Sequence, residues 1–596
     1  MKIKKIEIFN WRSIKHVEVD FNELMIFIGQ NNHGKSNILS ALLFFFGQIN
    51  SDDLDFHRNE SDLYVEIIFA ELNEEEQNTF SKYLTTSNEI RVRKSISKET
   101  SSQYNGYIER PDIDWLKEEN VANYTNRDSA KSLPLYDLLP PTGRIKQEDF
   151  IKAQIAYIKN NQSKVNLTYT LEPTPFMGAK NVAKGIFGDV FFIPSVKNVR
   201  DELSTRGNSI FGQLYSRVIA KMSEKNSEFI EAKNKMIQLV GVLNKLTKDG
   251  QPNKQRPSEL SDLEKLIDEE LTRWNTKIDV EITPPNVDDI FKVGAEIWID
   301  DGIRTDIERK GHGLQRAFIF ALLKAWSAVL REETQKTAEE GKNDADKKTG
   351  RLASRTNYFI FEEPELYLHP QAQRELFASL ANLSRSDNQV VLCTHSSSFI
   401  DLNFHRSICI VKKDQIEEGT KILQCTNDLF DADEEKKQFD MTYWINPDRG
   451  ELFFAKKVIL VEGATEKTIL PLLAQSLGIF KYDYTIIDCG SKEAISAYIK
   501  LLNKFSINYV VVYDRDNQKD KSTEQKKYAN ELSNKIESFI DRKIGISVIF
   551  DNDIEEELGF EEKSKKGKPY KAIKFVLSDG YKVSPSLSKK IKSIFS

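Results

Sequence analysis

Apolar residues in the first 70 positions recur at every second place in short runs, 3–9, 16–21, 25–28 and 63–69, the period of strands with one buried face. Residues 38–46 are apolar almost throughout and stop at Gly47, which predicts a buried helix with a glycine end. This alternation reads as an α/β nucleotide-binding fold. From 71 to 184 the pattern turns polar and turn-rich, with Leu133-Pro134 and Pro140-Pro141-Thr142-Gly143, and predicts an irregular α+β insertion. Helical spacing follows over 210–246 (Ile210, Leu214, Val218, Met222, then Met236, Leu239, Val242, Leu243) and over 260–274, an arm suited to packing on a partner helix or subunit. Strand character returns at 277–282 and at 295–303, the latter a hairpin through Asp300-Asp301-Gly302. A second α/β stretch runs to about Lys412; within it, 331–357 mixes charges without apolar period and reads as a solvated segment. Residues 457–596 hold a third alternation: strand 457–461, a helix stopped by Gly478, strand 484–489, a helix, and strand 507–513.

The 596-residue length predicts three or four structural units, and 39% hydrophobic with 30% charged residues is ordinary globular composition. The four cysteines (393, 409, 425, 489) have neither zinc-ligand spacing nor the density of a disulfide scaffold, so a cytoplasmic location is expected. No membrane span or apolar leader is read from the chain. A net charge of −6 excludes a polybasic protein and conceals polarity, because residues 561–596 hold 10 lysines against 3 acids.

Gly29-Gln30-Asn31-Asn32-His33-Gly34-Lys35-Ser36 is a complete G-x-x-x-x-G-K-S loop between a strand and a helix. Its glycines let backbone N–H groups of residues such as Asn31 and Asn32 wrap phosphates, and the helix start adds positive potential through Ser36 and Asn37. Lys35 reaches the β/γ oxygens and the Ser36 hydroxyl takes Mg²⁺. Downstream, the apolar run 358–361 delivers Glu362 and Glu363, suited to hold Mg²⁺ and to orient or deprotonate a water. Gly311, Gly313 and Gln315 form a glycine turn before an apolar helix at 317–330, and the run 389–394 ends in His395. In this order the four elements resemble the ATPase head of ABC-type enzymes of the SMC/RecF group. The resemblance makes 29–36 the Walker A loop, 311–315 the signature, 358–363 the Walker B strand with its D-loop, and His395 the switch histidine. Glu362 stands where the general pattern has Asp, and Gly-His-Gly-Leu-Gln replaces Ser-Gly-Gly-Gln. The resemblance implies ATP binding and a head-to-head homodimer or higher homo-oligomer, and leaves the turnover rate open.

The C-terminal stretch carries acids at strand ends. Glu462 and Glu466 follow strand 457–461, four apart on one helix face, and Asp514 and Asp516 follow strand 507–513. A third cluster, 551–557, offers Asp553, Glu555 and Glu556, with Asp553 and Glu556 preferred. Such carboxylates repel one another unless cations bind, and hard oxygen ligands point to Mg²⁺ or Mn²⁺, two in a phosphodiesterase site. Glu462 with Asp514-x-Asp516 resembles a Toprim fold. A Toprim domain behind an ABC head resembles the OLD (overcoming lysogenization defect) family of ATP-dependent endonucleases, which includes the nuclease subunit of the Gabija antiphage system. That family has a C-terminal catalytic lysine, and Lys568 or Lys571 matches by position.

The resemblance implies an α/β chain divided into an ABC ATPase part (1–70), an insertion with a helical dimerisation arm (71–294), the rest of the ATPase (295–415), a linker (416–456) and a Toprim nuclease domain (457–596). It implies an ATP-controlled, divalent-metal-dependent endonuclease on double-stranded DNA, in antiphage defence, with a possible helicase-like or other partner protein. The implied catalytic residues are Glu462, Asp514, Lys568, Lys571 and, for ATP, Glu363. The alternative is an SMC/RecF-like DNA-binding repair ATPase without nuclease activity.

Overall fold

The computed structural model describes residues 1–58, 60–161, 164–178, 186–195, 212, 226–245, 251–271, 297–311, 313–315, 317–319, 321–322, 325, 354, 356–385, 388–413, 415, 417–429, 447–516, 522–560 and 567–596. The expectations at 214–222, 277–282 and 331–353 lie outside these residues, as does 430–446 of the linker. Two compact units divide the chain: Met1–Ser195 with Asp346–Ser596, and Val196–Ala345.

The first unit opens with β1 (Lys2–Trp11), β2 (Ile14–Asp20) and β3 (Leu24–Ile28), followed by the phosphate loop, helix α1 (Lys35–Phe45) and β4 (Asp62–Ala70). β1 alternates buried and half-buried residues because one face of its sheet packs on the core, whereas every residue of β3 is buried, as a central parallel strand requires. Part of the stretch whose pattern suggests an insertion is sheet. β5 (Ile90–Ser97), β6 (Thr100–Pro111) and β7 (Leu167–Leu171) continue the first sheet in the order β2-β1-β4-β5-β6-β7, and β8 (Asp189–Ile193) joins a second sheet. Between β6 and β7, short helical turns and the helix Gln147–Asn160 close a small core of their own around Leu116, Leu135 and Phe150.

In the second unit, β9 (Trp298–Asp300) and β10 (Arg304–Asp306) form the expected hairpin, with Gly302 at φ 106° and its N–H donated to the Asp300 carboxylate. Helices Ser227–Leu243 and Ser258–Leu271 precede it. A bidentate Arg256–Glu264 pair (2.8 and 2.7 Å) ties the second helix to the loop before it.

Returning to the first unit, β11 (Asn357–Glu362), β12 (Asn388–Thr394), β13 (Ile408–Lys412) and β14 (Lys421–Gln424) complete the second sheet, ordered β14-β13-β3-β12-β11-β8. All its pairings are parallel except β13–β14. Helix α1 contributes Ile38, Leu42, Phe44 and Phe45 to a core shared with strands of both sheets. Its C-terminal carbonyls are capped from β5 and β6: Lys94 Nζ donates to Phe44 O at 2.6 Å, and the Tyr104 hydroxyl donates to Phe45 O. The C-terminal sheet has its own core and is wholly parallel: β15 (Lys457–Val461), β16 (Tyr484–Asp488), β17 (Tyr509–Asp514) and β18 (Gly545–Phe550), ordered β16-β15-β17-β18. Parallel strands place their C-terminal ends on one edge, so the parallel strands of the second sheet and of the C-terminal sheet each present a single functional edge.

Candidate functional site

In the second sheet, register aligns Ile28 with Thr394 and Glu362 with Cys393, which gathers the phosphate loop, Glu362, Glu363 and His395 at one edge. The loop takes positive φ at Gly29 (151°), Asn32 (61°) and Gly34 (103°). A Cβ at Gly29 would run into the Val411 carbonyl, and one at Gly34 into Thr420 and Ser13. A hydrogen-bond chain braces the loop: Asn37 Nδ2 donates to Ser13 Oγ (2.7 Å), Ser13 to Thr420 Oγ1 (2.7 Å), and Thr420 Oγ1 to His33 O (2.9 Å). Gly34 is the N-cap of α1, so the positive end of the helix opens into the loop, and Asn31, Asn32 and Ser36 are exposed there.

Lys35 is buried, with Nζ donating to Gly29 O (3.0 Å) and Gln30 O (2.9 Å). Burial lowers its pKa, opposed by the nearby Cys393, Glu363 and Glu365. Glu363 adopts φ 45°, and its N–H donates to Cys393 O at 2.9 Å. His395 Nε2 lies 3.4 Å from the Glu363 carboxylate. Burial and the Lys35 ammonium push the imidazole down to about 4, so at pH 7 this contact is made by a neutral ring and is not an ion pair. Glu365 is buried, accepts from His395 N–H at 2.6 Å, and has its pKa raised by burial. Ser195 Oγ stands 3.5 Å from the Glu362 carboxylate. Gly311, Gly313 and Gln315 belong to the second unit, where buried Gln315 donates through Nε2 to Ile307 O (3.0 Å) and Lys310 O (2.8 Å).

The C-terminal sheet edge is acidic. Glu462 follows β15 and accepts from Asp514 N–H at 2.8 Å, which locks the ends of two strands together. Glu466, in the first turn of helix Ala464–Ser476, is buried, as are Asp514 and Glu555. Burial, reinforced by Glu462, Glu466, Glu555 and Asp553, pushes Asp514 up to about 9. Burial with Glu555 and Glu462 pushes Glu466 up to about 7, opposed by Lys568. Carboxylates that raise one another's pKa in this way outnumber the cations beside them, and hard divalent cations fit such an oxygen donor set. Lys568 Nζ pairs with Glu555 at 2.7 Å, and its pKa is raised because Glu555, Asp553 and Glu466 outweigh burial. Lys571 lies one turn further on helix Lys568–Val576.

Of the acids expected in this cluster, Glu462, Glu466, Asp514, Asp553 and Glu555 come together. The Asp516 carboxylate stands 3.7 Å from the Lys492 ammonium. Glu556, preferred over Glu555 on sequence, is exposed and bonded to Asn552, while Asp553 serves as N-cap of helix Ile554–Leu558 by accepting Glu556 N–H at 2.8 Å. The helix geometry puts Glu555 inward. Among the described residues, Glu7, His16 and Glu18 are the group with three ligand atoms within 4.8 Å of one another. Its two carboxylates are already engaged, Glu7 by Tyr64 and Arg91 and Glu18 by Lys5. The 462–555 acids do not form a group that tight.

Residues 447–454, before β15, touch both sites' surroundings. Gln30 of the phosphate loop donates through Nε2 to Phe454 O at 3.2 Å, Gly450 packs on Ser397, and Arg449 donates to the Tyr498 hydroxyl at 2.7 Å. Buried Phe453 meets Phe505 edge-on at 5.1 Å. Sequence reasoning missed this bridge, Glu365 and Lys492; only Lys492 carried a signal, a lysine in the first turn of a helix against its dipole.

The profile of the AAA ATPase domain family matches residues 1–400, and that of the overcoming lysogenization defect protein-like TOPRIM domain matches 453–516. Old nuclease of Escherichia phage P2 is 23% identical over 531 residues, 87% of this chain and 77% of that protein. OLD nuclease of Thermus scotoductus is 30% identical over 168 residues, 28% of this chain and 32% of its own length. Endonuclease GajA of Bacillus cereus is 26% identical over 211 residues, 32% of this chain and 30% of GajA.

Proposed function

The chain belongs to the AAA ATPase domain family and joins that domain to an overcoming lysogenization defect protein-like TOPRIM domain, and from this premise we propose that it is an ATP-controlled, divalent-metal-dependent DNA endonuclease. The observation that carries the reading is the convergence of Glu462, Glu466, Asp514, Asp553 and Glu555 on one sheet edge, with two of them held far above the ordinary carboxylate range. Two Mg²⁺ or Mn²⁺ ions bound there supply water activation and charge stabilisation for phosphodiester hydrolysis. Glu462 fixes the Asp514 backbone, and Glu555 holds the Lys568 ammonium beside the acids, where it neutralises a substrate phosphate. Lys571 extends this positive face, and the ten lysines of 561–596 draw the DNA backbone toward it.

In the head, Lys35 and the loop N–H groups bind the ATP phosphates, Ser36 and Glu362 take its Mg²⁺, and Glu363 with neutral His395 orients water at the γ-phosphate. Gly311, Gly313 and Gln315 complete the site of a second copy in a homodimer. Control by ATP runs through 447–454, since Gln30 of the phosphate loop holds Phe454 directly. The resemblance to the OLD family, which includes the nuclease subunit of the Gabija antiphage system, supports antiphage defence and a partner protein, in a reducing cytoplasm that suits four buried free cysteines.

The test is incubation of full-length protein with plasmid and linear DNA, Mg²⁺ or Mn²⁺, and zero or millimolar ATP. The reading expects metal-dependent cutting whose rate responds to ATP. It fails if neither DNA is cut in any condition, or if Asp514→Ala cuts like wild type.

A further inference from the structure

The acidic edge contains a cation that the reading above leaves without a role. Lys492 opens helix Lys492–Lys504 behind the N-cap Ser491. A lysine there faces the positive end of the helix, and this one is only 7% exposed, so its ammonium needs acceptors close by. It takes them from one turn of chain: Nζ donates to the Asp514 carbonyl oxygen and stands 3.7 Å from the Asp516 carboxylate, with the Tyr513 ring 5.4 Å away.

The turn it grips is irregular. Asp516 sits at φ 60°, in the region that favours glycine. Its N–H reaches Asn552 O at 3.3 Å, and Arg515 N–H reaches Phe550 O at 2.8 Å. Asp514 is therefore fixed from two directions, its N–H by the Glu462 carboxylate after β15 and its carbonyl by the ammonium from the 492–504 helix.

We propose that Lys492 is a positioning residue of the metal centre: it clamps the 514–516 turn through the Asp514 carbonyl and the Asp516 carboxylate, keeping the Asp514 carboxylate toward Glu462, Glu466, Asp553 and Glu555. The proposal rests on the reading of this edge as a metal-dependent nuclease site. Two consequences of losing the ammonium oppose each other. Removing one positive charge favours divalent ions electrostatically, whereas releasing the turn misplaces their ligands. The clamp dominates, because the backbone bonds to Phe550 and Asn552 hold residues 515 and 516, whereas the Asp514 carbonyl itself is held by the ammonium. Loss of an outer partner of this kind weakens metal binding by roughly 10–100-fold.

The experiment compares full-length wild type, K492M, K492R and D514N, titrating Mn²⁺ by electron paramagnetic resonance and measuring plasmid cleavage across the same Mn²⁺ range. K492M is expected to raise half-saturating Mn²⁺ roughly 10–100-fold while its cleavage plateau stays within a few-fold of wild type. K492R, which retains donors for both oxygens, is expected to fall between the two. Half-saturating Mn²⁺ that is unchanged or lower in K492M overturns the proposal; if K492M does not melt cooperatively, K492R is judged by the same shift. Wild-type Mn²⁺ binding and cleavage in D514N sink the metal-centre reading itself, whereas loss of both in D514N with no shift in K492M sinks only the role of Lys492.

Discussion

In the ATPase head a buried lysine stands at each end of α1, while the acid beside the phosphate loop, Glu365, is buried as well. Lys35 sits among loop carbonyls at one end of α1, and Lys94 sits at the other end between the Phe44 and Tyr104 rings, 4.3 and 4.9 Å from them. Burial lowers the pKa of both, Lys94 to about 8. In the TOPRIM domain the buried charges at the functional edge are mainly carboxylates, and Glu466 and Asp514 are pushed the other way. Each site holds charge against its own burial cost, and the proposed function matches the buried lysine of the phosphate loop to phosphate oxygens and the acidic edge to divalent cations. The head also builds much of its site from backbone N–H groups of one short loop, whereas the acidic edge draws side chains from three strand ends. A substitution in the head should therefore weaken binding in steps, while one at the acidic edge removes a ligand outright.

The sharpest break of this contrast is Asp514→Asn. It is expected to lower DNA cleavage more than ~100-fold while ATP binding by the head persists, read by plasmid nicking and by nucleotide titration on the same sample. Next is the pH response of Lys94. Below pH 8 it is charged in folded and unfolded chains alike; between 8 and 10.5 only the unfolded chain keeps the proton, so folding gains as pH rises through that window. Wild type should gain up to about 3 kcal/mol on Lys94→Met between those limits, measured by denaturant unfolding, and a constant difference would contradict the assignment. Lys35→Met should weaken ATP binding by roughly 10–100-fold, the worth of a charge-assisted contact, without altering the Mn²⁺ requirement of cleavage. The smallest effect belongs to Gln30→Ala: loss of one hydrogen bond to Phe454, about 0.5–1.5 kcal/mol, should reduce the ATP response of cleavage several-fold while leaving ATP affinity nearly unchanged.

The two sites also differ in how far sequence discloses them. The phosphate loop lies in eight consecutive residues between an apolar strand and an apolar helix, and β11 and β12 show as buried runs ending in Glu362 and His395. β5 is less visible because Lys94 occupies a position where its apolar alternation of Ile90, Val92 and Ile96 calls for a hydrophobic residue. At the acidic edge, Glu462 and Asp514 follow recognisable strands, but choosing among 555–557 depends on the N-cap at Asp553, which sets the phase of a five-residue helix. Asp516 was separable from Asp514 only once Lys492, 24 positions earlier, was seen beside it. The Gln30–Phe454 bridge spans 424 positions and has no local pattern to reveal it.

The central claim is that the 462–555 edge is a divalent-metal centre, and anomalous diffraction from Mn²⁺-soaked crystals tests it most directly. The account predicts anomalous peaks among Glu462, Glu466, Asp514, Asp553 and Glu555 that vanish in Asp514→Asn. Peaks confined to other places, such as the Glu7–His16–Glu18 group, with none at the acidic edge, would contradict it.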